Sequence, residues 1–328
     1  MRVVLNTYPV AFDCPGGGEV QLLQSRAALQ RRGVQVDLFD VWKPQLRTAD
    51  VVHYFSLQGG SANFCCHVKN IGRPLAISPI VWLTDENVPR FPVDEMRHLL
   101  HLCDRVLPNS LAERDQLVEF FGISPAKCTV THNGVDETFA ELADADVFRE
   151  RFDVHGPFVL CVANIEPRKN QLRLIEAIRS LDVELVLVGH VRDEAYYHAC
   201  LDRAGDNVRH VGPLSRDDAL LRSAYRACEV FALPSELETP GLAALEAATQ
   251  GAKIVITGVG ATREYFADFV EYVAPSDTAA IATAIDRALS ATPNATLRQH
   301  VLTRFSWDRT AEQLIEAYET MLAAAASV

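Results

Sequence analysis

The stretch from Val230 to Ile256 constrains the fold more than any other in the chain, because an apolar run, a stop, a polar loop, a helical segment and a second apolar run follow in quick succession. Phe231, Ala232 and Leu233 end a buried strand, Pro234 stops it, and Ser235 to Thr239 is a loop. Gly241 opens a helix on which Leu242, Leu245, Ala248 and Thr249 recur at helical spacing. Gly251 stands where a C-cap belongs, and Ile254 to Ile256 resumes as a strand. Such a unit is a right-handed crossover between parallel strands, and ligands of parallel sheets sit beyond the carboxyl ends of the strands. Glu238 lies on the loop and Glu246 inside the first turns of the helix. A carboxylate only accepts hydrogen bonds and can take two hydroxyls at once, while a helix N-terminus favours an anion. A polyol carrying phosphate satisfies both. A solvated loop residue and an exposed helix residue fit the same pair equally well on these positions alone.

The alternation runs through the whole chain. Val3 to Leu5, Val34 to Phe39, Val51 to Phe55, Leu75 to Val81 and Arg105 to Leu107 read as strands, with Pro79 marking an irregular end. A helix with Val20, Leu22, Leu23, Ala27 and Leu29 on its apolar face follows the loop Pro15 to Glu19, and another spans Leu111 to Phe121. Around Phe139 to Gly156 the pattern gives way to a charged, alanine-rich segment that reads as a connection. A second series follows at Phe158 to Ala163, Glu184 to Val188, Val208 to Val211, Val230 to Leu233, Ile254 to Ile256 and Val270 to Val273. The fold class is therefore α/β, two doubly wound parallel-sheet domains over 1–145 and 146–310. The last helix carries Trp307, Ala311, Leu314, Ile315, Tyr318 and Leu322 on one side.

Composition narrows the partners. A net charge of -12 argues against nucleic acid, whose phosphates need clustered cations. It weakens the case for an anionic membrane surface, although Arg26, Arg31 and Arg32 leave room for peripheral contact. The eight cysteines show no C-x-x-C pair, which fits neither a zinc site nor a disulfide framework. With no apolar run of about 18 residues and no signal-peptide pattern, a soluble cytoplasmic protein is expected.

Two loops carry further chemistry. Gly16, Gly17 and Gly18 stand between a strand and a helix, where bare backbone lets a ligand approach; a tight turn explains them about as well. Asn164 to Asn170, NIEPRKN, precedes the helix Leu172 to Ile178. Arg168 and Lys169 oppose the helix macrodipole there, and a bound diphosphate would reverse that penalty, Arg as a fork and Lys as a point charge. A solvated surface pair is the plainer alternative. Asp144 and Asp146 have the spacing of a metal-binding pair but lie in the connecting segment, and the ten histidines show no ligand spacing, so no metal is expected. His53 and His132 fall near strand ends, where a lone histidine is more often structural.

With these motifs in place, the chain resembles the nucleotide-sugar glycosyltransferases of family 4, retaining enzymes of the GT-B fold in which two Rossmann-like domains face a cleft. The resemblance rests on PGGGE near the start, VLPNSLAERDQL, HNGVD from His132 to Asp136, EPRKN, and the two glutamates from Glu238 to Glu246. It implies that Arg168 and Lys169 hold a donor diphosphate, Glu246 the ribose hydroxyls and Glu238 the transferred sugar. The main chain at Gly241 and Leu242 and the side chain of Asn164 join the donor site. Gly17 and Gly18 close on the diphosphate from the first domain, and residues 311–328 pack back on that domain. The expected reaction moves a hexosyl group, mannosyl by the form of EPRKN, from a nucleoside diphosphate such as GDP-mannose or UDP-glucose without metal or other cofactor. The acceptor is a glycan, a lipid-linked or a small-molecule hydroxyl compound, met by the loops Gln58 to Asn63 and Thr84 to Pro92. His53 and Asn133 are candidates on the acceptor side. Two departures stand out: Pro240 replaces a residue with an N–H, and Ile80 stands where relatives place a histidine. The alternatives are a sugar-nucleotide epimerase or phosphorylase on similar domains, or a nucleotide-sugar-binding protein with weak turnover. A dehydrogenase lacks its G-x-G-x-x-G.

Overall fold

The computed structural model describes residues 1–57, 59–216, 218–292 and 295–326. The chain divides into two compact units, Met1–Gly134 with Trp307–Val328, and Val135–Ser306.

The first unit is built on strands β1 (Arg2–Asn6), β2 (Gln35–Leu38), β3 (Val51–Phe55), β4 (Leu75–Ser78) and β5 (Arg105–Val106), parallel in the order β2-β1-β3-β4-β5. Every residue of β3 and β4 is buried, as expected of parallel strands covered on both faces. Between β5 and the end of the unit, the helix Leu111–Phe121 takes its limits from its caps: Ser110 accepts the N–H of Glu113, and Gly122 closes the helix in the left-handed region at φ 66°. The Glu113 side chain is fully buried and accepts the backbone N–H groups of Val81 and Asn109 at 3.0 and 2.7 Å, tying the ends of β4 and β5 together. The terminal helix Trp307–Ala326 packs on the helix Gly17–Arg31, with ion pairs from Arg31 to Asp308 and from Arg32 to Glu312. Its buried side is Trp307, Thr310, Ala311, Leu314, Ala317, Tyr318 and Met321, so Ile315 and Leu322 lie at the margin of the face.

The second unit carries β6 (Phe158–Val162), β7 (Glu184–Val188), β8 (Val208–His210), β9 (Val230–Leu233), β10 (Lys253–Thr257) and β11 (Glu271–Val273), all parallel, in the order β11-β10-β9-β6-β7-β8. Successive strands add on one side of β6 and then, from β9, on the other. The loops after β6 and β9 therefore diverge, which opens a crevice at the carboxyl edge of the sheet. The segment read as a connection is part of this unit. Phe139 is buried, and a helix over Asp146–Phe152 buries Phe148 against Phe152 and Phe158. The division consequently falls after Gly134 and not after residue 145.

Two local expectations are corrected. Pro15 to Glu19 is not all loop: the helix begins at Gly17, because Glu19 folds back to accept the N–H of Gly16 at 2.7 Å and closes the first turn. Leu23, assigned to the apolar face, is exposed, while Gln21 and Ser25 are buried. Gln58, the first residue of one proposed acceptor loop, and Ser327 and Val328 at the end of the last helix lie outside the described residues.

Candidate functional site

At the end of β6 the chain passes through Ala163 and Asn164 into a single turn, Pro167–Lys169. Two features force its course. Gly189, at the end of β7, sits so close beneath it that a Cβ there would lie 1.9 Å from the Ala163 carbonyl oxygen. Asn170 follows in the left-handed region at φ 61°, and its side-chain amide donates to the carbonyls of Pro234 and Pro275, each at 2.8 Å. The turn is thereby fastened to the segments after β9 and β11, and the Glu236 N–H adds a bond to the Arg168 carbonyl at 2.8 Å.

This arrangement brings Lys169 against Glu238. Their side chains form an ion pair and are only 14% and 7% exposed, so neither the solvated loop carboxylate nor the solvated surface lysine of the plainer reading applies. Glu238 is held in turn by its backbone, which accepts from Ala261 at 2.9 Å and donates to Val259 at 3.2 Å. Gly260 lies across it at φ 100°, where a Cβ would fall 2.0 Å from the Glu238 carbonyl oxygen. Burial alone would push the Glu238 carboxyl up, but the charges of Lys169 and Arg168 outweigh it and hold it below the usual carboxylate range. Burial lowers the Lys169 ammonium, against the pull of Glu238. Arg168 is more open, at 44% exposure, and bonds to Glu166 at 3.0 Å. Glu166 also accepts from Arg192 at 3.2 Å. Asn164 is half-buried, with its carbonyl accepting from Gln171 at 2.9 Å.

Gly241, in the left-handed region at φ 77°, opens the helix Leu242–Thr249, whose first N–H groups are those of Leu242 and Ala243. Glu246, one turn further, is 3% exposed. It accepts from the Tyr225 hydroxyl at 2.9 Å and pairs with Arg216, whose guanidinium lies 5.6 Å from the Phe139 ring centroid. Burial raises the Glu246 carboxyl, with Arg216 and Tyr225 pulling the other way. Lys169, Arg168, Glu238, Gly241 and Glu246 thus share the carboxyl edge of one sheet. Sequence reasoning did not find Arg216, Tyr225, Glu166 or Arg192. Arg216 carries the signal that marked Lys169, a cation just ahead of a helix start, here the Asp218-capped helix Ala219–Ala227.

The first-unit candidates behave differently. His53 is fully buried in the middle of β3, with Nδ1 2.7 Å from the Tyr318 hydroxyl and Nε2 2.9 Å from Ser78 Oγ. It is a core residue joining two strands to the terminal helix, not an acceptor-facing one. Asn133 is 1% exposed and donates to Gln21 at 3.1 Å, so it too is internal. Gly17 and Gly18 form the first turn of their helix, where a Cβ on Gly18 would meet Ile80 Cδ1 at 3.6 Å. Ile80 itself has φ 51°. Among the described residues no three His, Cys, Asp or Glu side chains converge as a metal-binding set, and the Asp144 carboxylate accepts the Asp146 N–H at 3.0 Å while its carbonyl accepts the Ser223 hydroxyl.

The family model for glycosyl transferases group 1 matches residues 143–301, and that for glycosyltransferase family 4 matches 84–139. The chain belongs to the group 1 glycosyltransferase family. Among curated relatives, the D-inositol 3-phosphate glycosyltransferase of Kineococcus radiotolerans is 29% identical over 255 residues, covering 68% of this chain and 58% of the relative. The protein of that name from Kribbella flavida is 30% identical over 266 residues, covering 73% and 62%. The chain thus spans a little over half the length of the curated relatives it matches. Its GT-B fold is that of other glycosyltransferase structures. The sucrose-phosphate synthase of Thermosynechococcus elongatus superposes with a TM-score of 0.85 at 18% identity, over 99% of this chain and 100% of the other. The Anabaena protein HepE, solved with UDP and glucose, gives 0.81 at 19% identity over 97% and 99%. No helix among the described residues of this group 1 protein is long and apolar enough to cross a membrane.

Proposed function

We propose that the protein transfers a hexosyl group from a nucleoside diphosphate sugar to an acceptor hydroxyl, with retention at the anomeric carbon. The second unit takes the donor and the first the acceptor. One observation carries this reading: a buried lysine and a buried glutamate, paired with each other, stand at the crevice of a parallel sheet beside the N-terminus of a helix. In this pair each neutralises the other. A sugar diphosphate offers both a better partner, phosphate oxygens for Lys169 and hydroxyls for Glu238, so one ligand replaces the pair on both sides.

The acceptor oxygen bonds to the anomeric carbon as the bond from that carbon to the phosphate oxygen breaks, and the electron pair leaves with the diphosphate. Lys169, Arg168 and the N–H groups at Leu242 and Ala243 meet the charge that develops there, which is electrostatic preorganisation. Departure on the same face lets a phosphate oxygen take the acceptor proton, so Glu238 positions the sugar and does not attack it. Cationic side chains then serve where a metal would otherwise be needed, and chelation with EDTA leaves turnover unchanged. The mannosyl form of EPRKN favours a GDP donor, whereas the structural relative HepE was solved with UDP-glucose.

A thermal-shift panel of GDP, UDP, TDP and ADP, followed by product analysis with and without acceptor, tests the reading. A ligand selective for the folded state raises the apparent melting temperature. A rise with one diphosphate and transfer to an added acceptor supports a transferase. Rearranged donor without acceptor points to an epimerase, and no rise with any nucleotide removes the donor site.

A further inference from the structure

As a carboxylate Glu246 offers two acceptor oxygens to the ribose hydroxyls, whereas the protonated acid spends one oxygen as a donor and accepts them less well. Its surroundings oppose ionisation, because at 3% exposure the charge has little water to stabilise it. Three polar groups face it from three parts of the second unit. The Tyr225 hydroxyl, from the helix Ala219–Ala227, supplies one hydrogen bond at 2.9 Å. Asp136, where the chain enters the unit, adds a like charge. Arg216, between β8 and that helix, is the cation that pairs with it. Packing of its guanidinium against Phe139 and a side-chain exposure of 20% hold Arg216 in place.

We propose that Arg216 is a positioning residue for the donor: it holds Glu246 ionised and oriented in the ligand-free site, and so sets the affinity for the ribose of the nucleotide. This rests on the donor-site reading of the second unit given above. Even beside Arg216 the Glu246 carboxyl stays above its usual range. Without the guanidinium it rises further. An acid with a raised pKa is protonated below it, so binding that needs the carboxylate is lost as pH falls through that value and returns above it.

The test is calorimetric titration of the full chain and its Arg216→Met and Arg216→Lys variants with GDP and UDP, each beside its 2′-deoxy counterpart, from about pH 6 to about pH 9. Circular dichroism and melting temperature report the fold of each variant. Wild type should prefer the ribonucleotide throughout. Arg216→Met should lose ribonucleotide affinity several-fold at the acid end of the range, with little change for the deoxy form, and the loss should shrink as pH rises through the raised Glu246 value. Arg216→Lys should keep most of the affinity, since it retains the charge. Arg216→Met matching wild type at every pH overturns the role of Arg216, as does a loss in it that is equal at all pH values and equal for both sugars. A wild type that binds nucleotide without distinguishing ribose from deoxyribose would instead overturn the placing of Glu246 on the ribose, and this proposal with it. Should Arg216→Met fail to fold, the neutral Arg216→Gln takes its place, with the same result expected and the same result overturning the proposal.

Discussion

Both units bury carboxylates at the carboxyl edge of a parallel sheet, yet they satisfy them by different means. In the first unit Glu113 accepts two backbone N–H groups and Glu19 accepts the Gly16 N–H and, at 3.1 Å, the Tyr8 hydroxyl. Main-chain donors cannot move without unfolding the loops that carry them, so these carboxylates are fixtures. In the second unit Glu238 and Glu246 are met by the side chains of Lys169 and Arg216, which can change partner while the backbone stays still. Similar folds therefore hold the same residue type by fixed main-chain donors in one unit and by exchangeable side-chain cations in the other. The distinction lies in the donor and not in the glutamate.

The largest expected effect comes from breaking the exchangeable kind. Lys169→Ala should lower glycosyl transfer about 10²-fold or more, by analogy with the loss of a preorganised donor. It should also cost about 3–5 kcal/mol of stability at neutral pH by leaving Glu238 buried and uncompensated. Adding Glu238→Gln should return the stability in urea unfolding while transfer stays lost; recovered transfer would mean that the lysine serves the fold alone. A smaller effect is expected from the fixed kind. Glu113→Ala strands the Val81 and Asn109 N–H groups and should cost about 2–6 kcal/mol in thermal melts, at roughly 1–3 per unpaired group. Nucleotide affinity should not change, and a tenfold shift in Kd would erase the contrast between the units.

The effect that is smallest at neutral pH, where the ring is neutral whether folded or unfolded, sharpens the comparison through His53. Burial depresses its imidazole from 6.5 to about 3. The unfolded chain therefore binds the extra proton first as pH falls. Stability from the neutral ring is complete above about 6.5 and declines by about 1.4 kcal/mol per pH unit on the way down to about 3. Wild type and His53→Gln followed by urea unfolding over that range should differ by this slope, and parallel curves would show that the ring is not enclosed as described.

Much of the fold was legible because its signals are local. The helix Leu111–Phe121 is bounded by a serine cap and a left-handed glycine, and β3, β7 and β9 show as short apolar runs between breakers. The helix Asp146–Phe152 escaped because its burial depends on Phe158 from a strand later in the chain. At the site, Glu238, Glu246 and Lys169 stood out as charges in unfavourable or paired positions. Their counter-ions did not, since nothing near Arg216 in the chain names a partner on the helix Leu242–Thr249. His53 misled as a residue near a strand end, although its neighbours Val51, Val52, Tyr54 and Phe55 are those of a core.

The return of residues Trp307–Val328 to the first unit makes the second an insertion within it. On a ribosome the inserted portion is complete while the outer one still lacks its closing helix, which inverts the usual order in which the leading domain matures first. Until Tyr318 emerges, His53 Nδ1 lacks the hydroxyl that meets it, so a nascent chain stalled before that point would carry a complete inserted unit beside an unfinished outer one.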